Sequence, residues 1–349
     1  MARDLQDALS KINIGGVYEM YDIDLYKKSL LDLLKRFCYS QSTDPRDKVY
    51  GLISLVKTGT EEIALIPDYE KSVGQVFADT VVYTLSLTRQ LDALTYVEHR
   101  RGYDGYNQFA SWAPRWDRPQ RNCRISTSLV DMSNNACGGR IVGPLAMQDS
   151  GRCELRLTGV IYATTSIVKL SSDFDCFEDD DSDKQNIVAE IYESIGSSDG
   201  NRDEKLRVVA RTFTAGRCFS PTLDEGVGKE TPSHFYKSFE DIIEWLRASP
   251  AELNGLSENA RKCRYEAEDF CYHRCFFWTQ ERDFGLGPQC MRAGDIVVVL
   301  YGGQMPFVLR PKGDKYLFLG EAYVDSIMHG ELMKEVEEGN RQEQEFCLI

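Results

Sequence analysis

Through the first third of the chain, apolar residues recur at helical spacing behind recognisable start signals. Asp44-Pro45-Arg46-Asp47 offers a cap residue, a proline for the first helical position and an acid at the third. Val49, Leu52, Ile53 and Val56 then fall on one face, which predicts a helix from about Pro45. Ser72-Val73-Gly74-Gln75 is a second capping pattern, and Val73, Val76, Phe77, Val81 and Leu85 follow it at helical intervals. Between the two, residues 63–69 with Pro67 read as an extended connector. From Gly102 the texture changes to Gly, Tyr, Asn and Pro, and Ser111-Trp112-Ala113-Pro114-Arg115-Trp116 cannot run as an ordinary helix.

Near Glu154 the period falls to two. Leu155, Leu157 and Gly159 alternate with Glu154, Arg156 and Thr158, and apolar residues continue to Val168, which predicts a strand or a bent pair of strands. Three helices are expected over residues 187–195, 206–213 and 239–246, and a fourth over 259–275. The last quarter reads as β: strands over 295–301, 304–310 and 315–324, with turns at Gly302-Gly303 and Lys312-Gly313-Asp314. Gly285-Leu286-Gly287-Pro288 reads as a turn leading into them.

A meander of this kind has to be closed or covered. The expected class is therefore α+β, with helical N-terminal and middle regions packed against a small C-terminal antiparallel β-barrel-like sheet. Residues 1–100 are expected to form the helical region, 101–330 a mixed helix and β-barrel-like region compact with it, and 331–349 a charged tail, with 331–345 a solvated helix or a frayed end.

Composition narrows the possible partners. The 349 residues are 42% hydrophobic and 11% aromatic, enough for a substantial core, and the formal charge is -14. Residues 173–183 carry -7 and residues 331–345 carry -4, so the acidity belongs to one loop and one tail. No nucleic-acid partner is expected, because the chain lacks a basic surface for phosphates. Neither a signal peptide nor an apolar run of membrane-spanning length is present, and a cytoplasmic location is expected. The 11 cysteines are odd in number and scattered, and Cys38, Cys218 and Cys290 sit in apolar segments, as reduced core thiols do. The closest Cys and His cluster, Cys271-Tyr272-His273-Arg274-Cys275, is too tightly spaced for a zinc knuckle.

Sequence signatures of chemistry fail one by one. In Glu225-Gly226-Val227-Gly228-Lys229-Glu230, an acid stands where a phosphate loop needs a hydroxyl, and Leu223 stands where it needs its first glycine. No Gly-x-Ser-x-Gly elbow and no His-Glu-x-x-His helix occurs. Asp179-Asp180-Asp181-Ser182-Asp183 matches an aspartate-rich magnesium pattern, but the dense charge around it reads as a solvated loop. No metal and no cofactor is expected. What rises above background is aromatic: Tyr103, Tyr106, Phe109, Trp112 and Trp116 crowd one connector, and Phe276, Phe277 and Trp278 precede the meander. Such clusters are usually core, yet here they lie at the seam between helices and sheet, where a cavity for a small molecule would form.

Several segments together resemble the fungal heterokaryon-incompatibility (HET) family. Thr43-Asp-Pro-Arg-Asp-Lys-Val-Tyr-Gly-Leu52, Ile66-Pro-Asp-Tyr-Glu-Lys-Ser-Val73 and Ala110-Ser-Trp-Ala-Pro-Arg-Trp116 are followed in order by Arg211-Thr-Phe-Thr-Ala-Gly-Arg217, Phe276-Phe-Trp-Thr279 and Gly285-Leu-Gly-Pro288. Arg292-Ala-Gly-Asp-Ile296, Gly302-Gly303, Pro306-Phe-Val-Leu-Arg310, Gly320-Glu-Ala-Tyr-Val324 and His329-Gly-Glu331 complete the series. The TIR-like opening segment of that family has no counterpart before Thr43, so the resemblance is to its C-terminal part.

Relatives of this type include proteins of fungal secondary metabolism, among them a norbornene-forming Diels-Alderase of diterpenoid biosynthesis. The resemblance therefore implies, first, a metal-independent pericyclase of terpenoid biosynthesis acting on an apolar small-molecule substrate by intramolecular [4+2] cycloaddition. Such a reaction needs a cavity that orients diene and dienophile and one donor to polarise a carbonyl. Trp112, Trp116, Phe277 and Trp278 are the candidate walls, and Tyr301, Tyr323, His273 and Arg310 the candidate catalytic donors. The alternative is a non-catalytic regulatory or interaction module of incompatibility or stress signalling. Oligomeric state has no signature in the sequence.

Overall fold

The structure, a computed structural model, describes residues 29–56, 65–105, 108–120, 124–125, 134–143, 154–170, 191, 202–216, 241, 244–245, 248 and 250–349. These form six α-helices and one eight-stranded, mostly antiparallel sheet. The expected helices over 187–195 and 239–246, the acidic loop and the Gly-Lys turn at 228–229 lie wholly or mostly outside the described residues.

The N-terminal helices are set by their caps. Helix α1 (Leu30–Arg36) opens on a reciprocal box between Ser29 and Asp32 and buries Leu30, Leu33 and Leu34. Helix α2 (Asp47–Ile53) starts two residues later than the sequence suggests, because the Asp44 carboxylate is held by Arg46, through its backbone N–H at 2.9 Å and its guanidinium at 2.7 Å. Helix α3 (Val73–Thr88) begins at Ser72, whose side chain and that of Gln75 cap each other, and it ends where Arg89 turns left-handed. Short 3-10 turns follow at Asp92–Tyr96 and, later in the chain, at Pro250–Gly255 and Asp325–Ile327.

Strand β1 (Leu155–Leu170) is the long central member of the sheet. After it come helices α4 (Arg202–Phe213) and α5 (Glu258–Cys271), then strands β2 (Arg274–Thr279), β3 (Phe284–Pro288), β4 (Ile296–Leu300), β5 (Phe307–Lys312), β6 (Lys315–Glu321) and β7 (Tyr323–Val324). Helix α6 (Glu331–Glu337) and strand β8 (Glu343–Leu348) close the chain.

The spatial order is β4-β5-β6-β8-β1-β2-β3-β7, and β4 also pairs with β1. Five strands therefore pair in a circuit, which is the barrel-like part, and β2, β3 and β7 extend it from the far half of β1. Strand β1 serves both parts by changing partners along its length. Leu155 to Val160 face β8, Gly159 to Thr164 face β4, and Thr165 to Leu170 face β2. Register shifts near Ile161 and Thr165 bend it between them.

Alternation along β4 shows why its run is apolar throughout. Ile296, Val298 and Leu300 pack toward α1, α3 and the segment around Trp112, while Val297 and Val299 pack toward Phe277, Leu319 and Leu332. Both faces are covered, so period two is invisible in the composition. A third cluster joins α4 and α5 to Phe276, Phe284, Leu286 and Tyr323. The described cysteines carry no disulfide; Cys137, Cys263, Cys271, Cys275, Cys290 and Cys347 are buried, and Cys38 is half-buried.

Three local readings are corrected. Gly285-Leu286-Gly287-Pro288 is not a turn but strand β3, paired with β2 from Phe284 to Pro288. Its glycines are demanded by packing, because a Cβ on Gly285 would strike the Phe277 ring and one on Gly287 the Met291 sulfur. Helix α5 ends at Cys271, short of Cys275, since Arg274 already belongs to β2. The stretch read as a solvated helix or a frayed end does hold a helix, α6, but it closes on strand β8, whose Phe346 and Leu348 are fully buried. In β8 the exposed Glu343, Gln344 and Glu345 come first and the buried Phe346, Cys347 and Leu348 follow, so no alternation marks the strand.

Candidate functional site

The sequence candidates are placed in separate environments. Arg310, on β5, is 3% exposed and gives its Nε to Asp295 Oδ1 at 2.8 Å and its Nη2 to Asp295 Oδ2 at 2.9 Å. Its remaining donors reach the carbonyls of Tyr103 at 2.6 Å and Cys290 at 2.7 Å. The guanidinium is thus saturated by structure. Tyr323 donates to Asp325 at 2.9 Å, and Arg211 of α4 grips the same carboxylate at 2.7 and 2.8 Å. Burial and then that carboxylate hold the Tyr323 hydroxyl well above its ordinary pKa.

Tyr301 accepts from Arg140 at 2.7 Å and donates to Glu343. His273 sits at the joint of α5 and β2 with φ 54°, its ring 4.0 Å from that of Tyr272. The four donors therefore face four different sets of partners.

The expected walls are dispersed as well. Trp112 and Trp116 belong to the core beneath α1 and α3, Phe277 lies over the glycines of β3, and Trp278 packs with its ring tilted, 5.0 Å from that of Phe284, in the α4 and α5 cluster. The indole Nε1 of Trp116 is buried without a hydrogen-bond acceptor among the described residues.

One cleft runs between the N-terminal layer and the sheet. Thr95, Glu98, His99, Gln120 and Arg124 line it from one side, and Arg274, Gln289 and Glu321 from the other. At its base Arg274 Nη2 meets Glu321 Oε1 at 2.7 Å, both side chains being 3% exposed, and the same oxygen accepts from the Ile125 N–H at 2.6 Å. The Arg124 guanidinium lies 3.9 Å above the Tyr96 ring. The space holds about 20 Å3, room for a water molecule. A ligand the size of a diterpenoid needs roughly 300 Å3 or more. Val97 and Pro288 share the lining with these polar and charged side chains, so the cleft offers apolar as well as ionic and hydrogen-bonding contacts.

His99 is the titratable group that the sequence did not single out. Its Nε2 is 2.9 Å from the Ser111 carbonyl and 3.0 Å from that of Phe318. Both partners only accept, so this nitrogen carries the proton. Burial pushes the imidazole down to about 4, against the two backbone bonds that favour its charged form.

A common logic connects these findings: the motifs that carry the family resemblance hold one another. Arg310 grips Asp295 of Arg292-Ala-Gly-Asp-Ile296, and Glu321 of Gly320-Glu-Ala-Tyr-Val324 grips Arg274, beside Phe276-Phe-Trp. Arg211 and Gly216 of the Arg211–Arg217 motif meet Asp325 and Tyr323. Near the N-terminal helices, Arg46 donates to the carbonyls of Tyr69 and Lys71, and Tyr50 to that of Asp68. Arg310, Asp295, Glu321 and Arg211 were legible as motif members, whereas Arg274 and Asp325 only flank motifs, and the pairing requires the fold.

Comparison with known proteins gives the same direction. Residues 256–349 match the Het-6 beta-barrel domain. Over 342 residues the chain is 28% identical to the protein called heterokaryon incompatibility protein 6, OR allele, of Neurospora crassa, covering 83% of this chain and 49% of that one. The chain thus spans about half the length of this curated relative. No solved structure matches. No helix among the described residues is long and apolar enough to cross a membrane.

Proposed function

We propose that this chain acts as a regulatory or interaction module of heterokaryon incompatibility, recognising a macromolecular partner without catalysing a reaction. The observation that carries this reading is the similarity to the Neurospora protein along most of the chain, together with the Het-6 beta-barrel match over 256–349. The geometry of the motifs supports it. The charged residues Arg46, Arg211, Arg274 and Arg310 are each spent on carbonyls or carboxylates of the protein itself, as expected of residues that define a scaffold. The aromatic residues proposed as cavity walls likewise pack into three separate clusters. Among the described residues, nothing favours the cycloaddition reading.

Function then resides on the surface that the scaffold presents. The test is biological: the chain is expressed in Neurospora strains carrying different alleles of the relative, and hyphal fusion is followed by growth rate and dye uptake. Growth arrest in one allelic background is expected. Indifference to every background, with the protein shown to be folded and abundant, would count against the reading.

A further inference from the structure

The strand circuit has one weak seam. Along β1 with β4, β1 with β8 and β5 with β6 the ladders run for several residues, whereas β6 meets β8 in parallel only where Tyr316 faces Leu348. Beyond that point, the gap is filled by a residue from neither strand. Ser111 donates its N–H to the Ile349 carbonyl at 2.9 Å, and its hydroxyl donates to the same oxygen. That hydroxyl also accepts the Phe318 N–H of β6 at 2.8 Å. The His99 ring, stacked 3.7 Å from Tyr103, then bonds the carbonyls of Ser111 and Phe318 together. Two residues of the N-terminal layer thus do the work of a missing strand.

We propose that Ser111 and His99 form a clasp through which the N-terminal layer controls closure of the barrel-like sheet. Withdrawing Ser111 and His99 together removes the polar links to β6 and to Ile349, leaving one strand bridge and the contact of Tyr316 with Phe346 at 5.2 Å. Strand β8 remains on β1, held by its own ladder, and the sheet opens between β6 and β8. The apolar side chains at that edge, Phe318, Phe346 and Leu348, are then uncovered. A partner that binds the N-terminal layer can in this way change the state of the C-terminal sheet without touching it.

Hydrogen exchange by mass spectrometry on the whole chain tests the clasp. In the wild type, amides at 316–319 and 346–349 are expected to exchange faster than those of β4 and β5, because they open locally. Ser111→Ala should speed exchange at those seam amides several-fold and leave β4 and β5 unchanged, while Ser111→Thr, which keeps a hydroxyl, should restore the wild-type pattern. Seam amides as slow as those of β4 and β5 in the wild type would overturn the proposal. So would an alanine variant that loosens all strands equally. The wild-type comparison stands even if the alanine variant fails to fold.

Discussion

The buried pair of Arg310 and Asp295 illustrates what a charge needs in order to sit in the interior. Each partner is fully desolvated and neutralised by the other, so removing one strands a charge in the interior. Asp295→Ala is expected to cost about 3–5 kcal/mol in urea unfolding, whereas the double change to Asp295→Leu with Arg310→Met should recover much of that loss. Equal losses for the single and double variants would show that the pair matters beyond charge balance.

His99 gives the second prediction at this scale. Its folded-state pKa of about 4 lies below the ordinary 6.5, so the folded protein resists a proton that the unfolded chain accepts. The resulting stability is complete above about pH 6.5, declines as the pH falls, and is gone below about 4. His99→Gln, which keeps a donor, should flatten that part of the stability profile by up to about 3 kcal/mol. Thermal melts at pH 7 and pH 4.5 measure the difference.

At the scale of elements, the sequence was readable where caps, turns or alternation frame an apolar pattern. Ser72 and Gln75 announce α3, and the alternation from Leu155 announces β1, because polar residues mark the exposed side of each. Strand β4, buried throughout, was still readable as a β-branched run ending at a glycine turn, whereas β3 was not, since two of its five residues are glycines and a third is proline. Those glycines are required by neighbours, the Phe277 ring at Gly285 and the Met291 sulfur at Gly287, which no local pattern reveals. Gly285→Ala is expected to push that ring from its seat at a cost of about 1–3 kcal/mol, the usual penalty of overpacking. Truncating Phe277 in the same chain should relieve part of the strain. A double-mutant cycle on the unfolding midpoint reads the coupling, and strict additivity would contradict the packing argument. The candidate site was legible only in part for a related reason: motifs named Arg310, Asp295 and Glu321, but which carboxylate each arginine takes is a property of strands brought together from far apart.

For the whole molecule, the notable fact is that β1 lies outside the stretch matching the Het-6 beta-barrel domain yet stands in the middle of the sheet. Without it, β4 and β8 each lose a neighbour and β2 loses its link to the circuit. A fragment limited to residues 256–349 is therefore expected to lack a cooperative thermal transition by circular dichroism, and supplying residues 154–170 in the same chain should be necessary, though not sufficient, to regain one. A sharp transition in the fragment alone would mean that the remaining strands find another closure.

The central place of β1 also has a consequence in time. Its partner β8 begins about 190 residues later in the chain, which at a ribosomal rate of roughly 5–20 residues per second is a wait of about 10–40 s. For that interval a nascent 16-residue strand with apolar residues on both sides has no ladder to join on that edge. Successful biogenesis must then depend on whatever shields β1 until its late partners arrive.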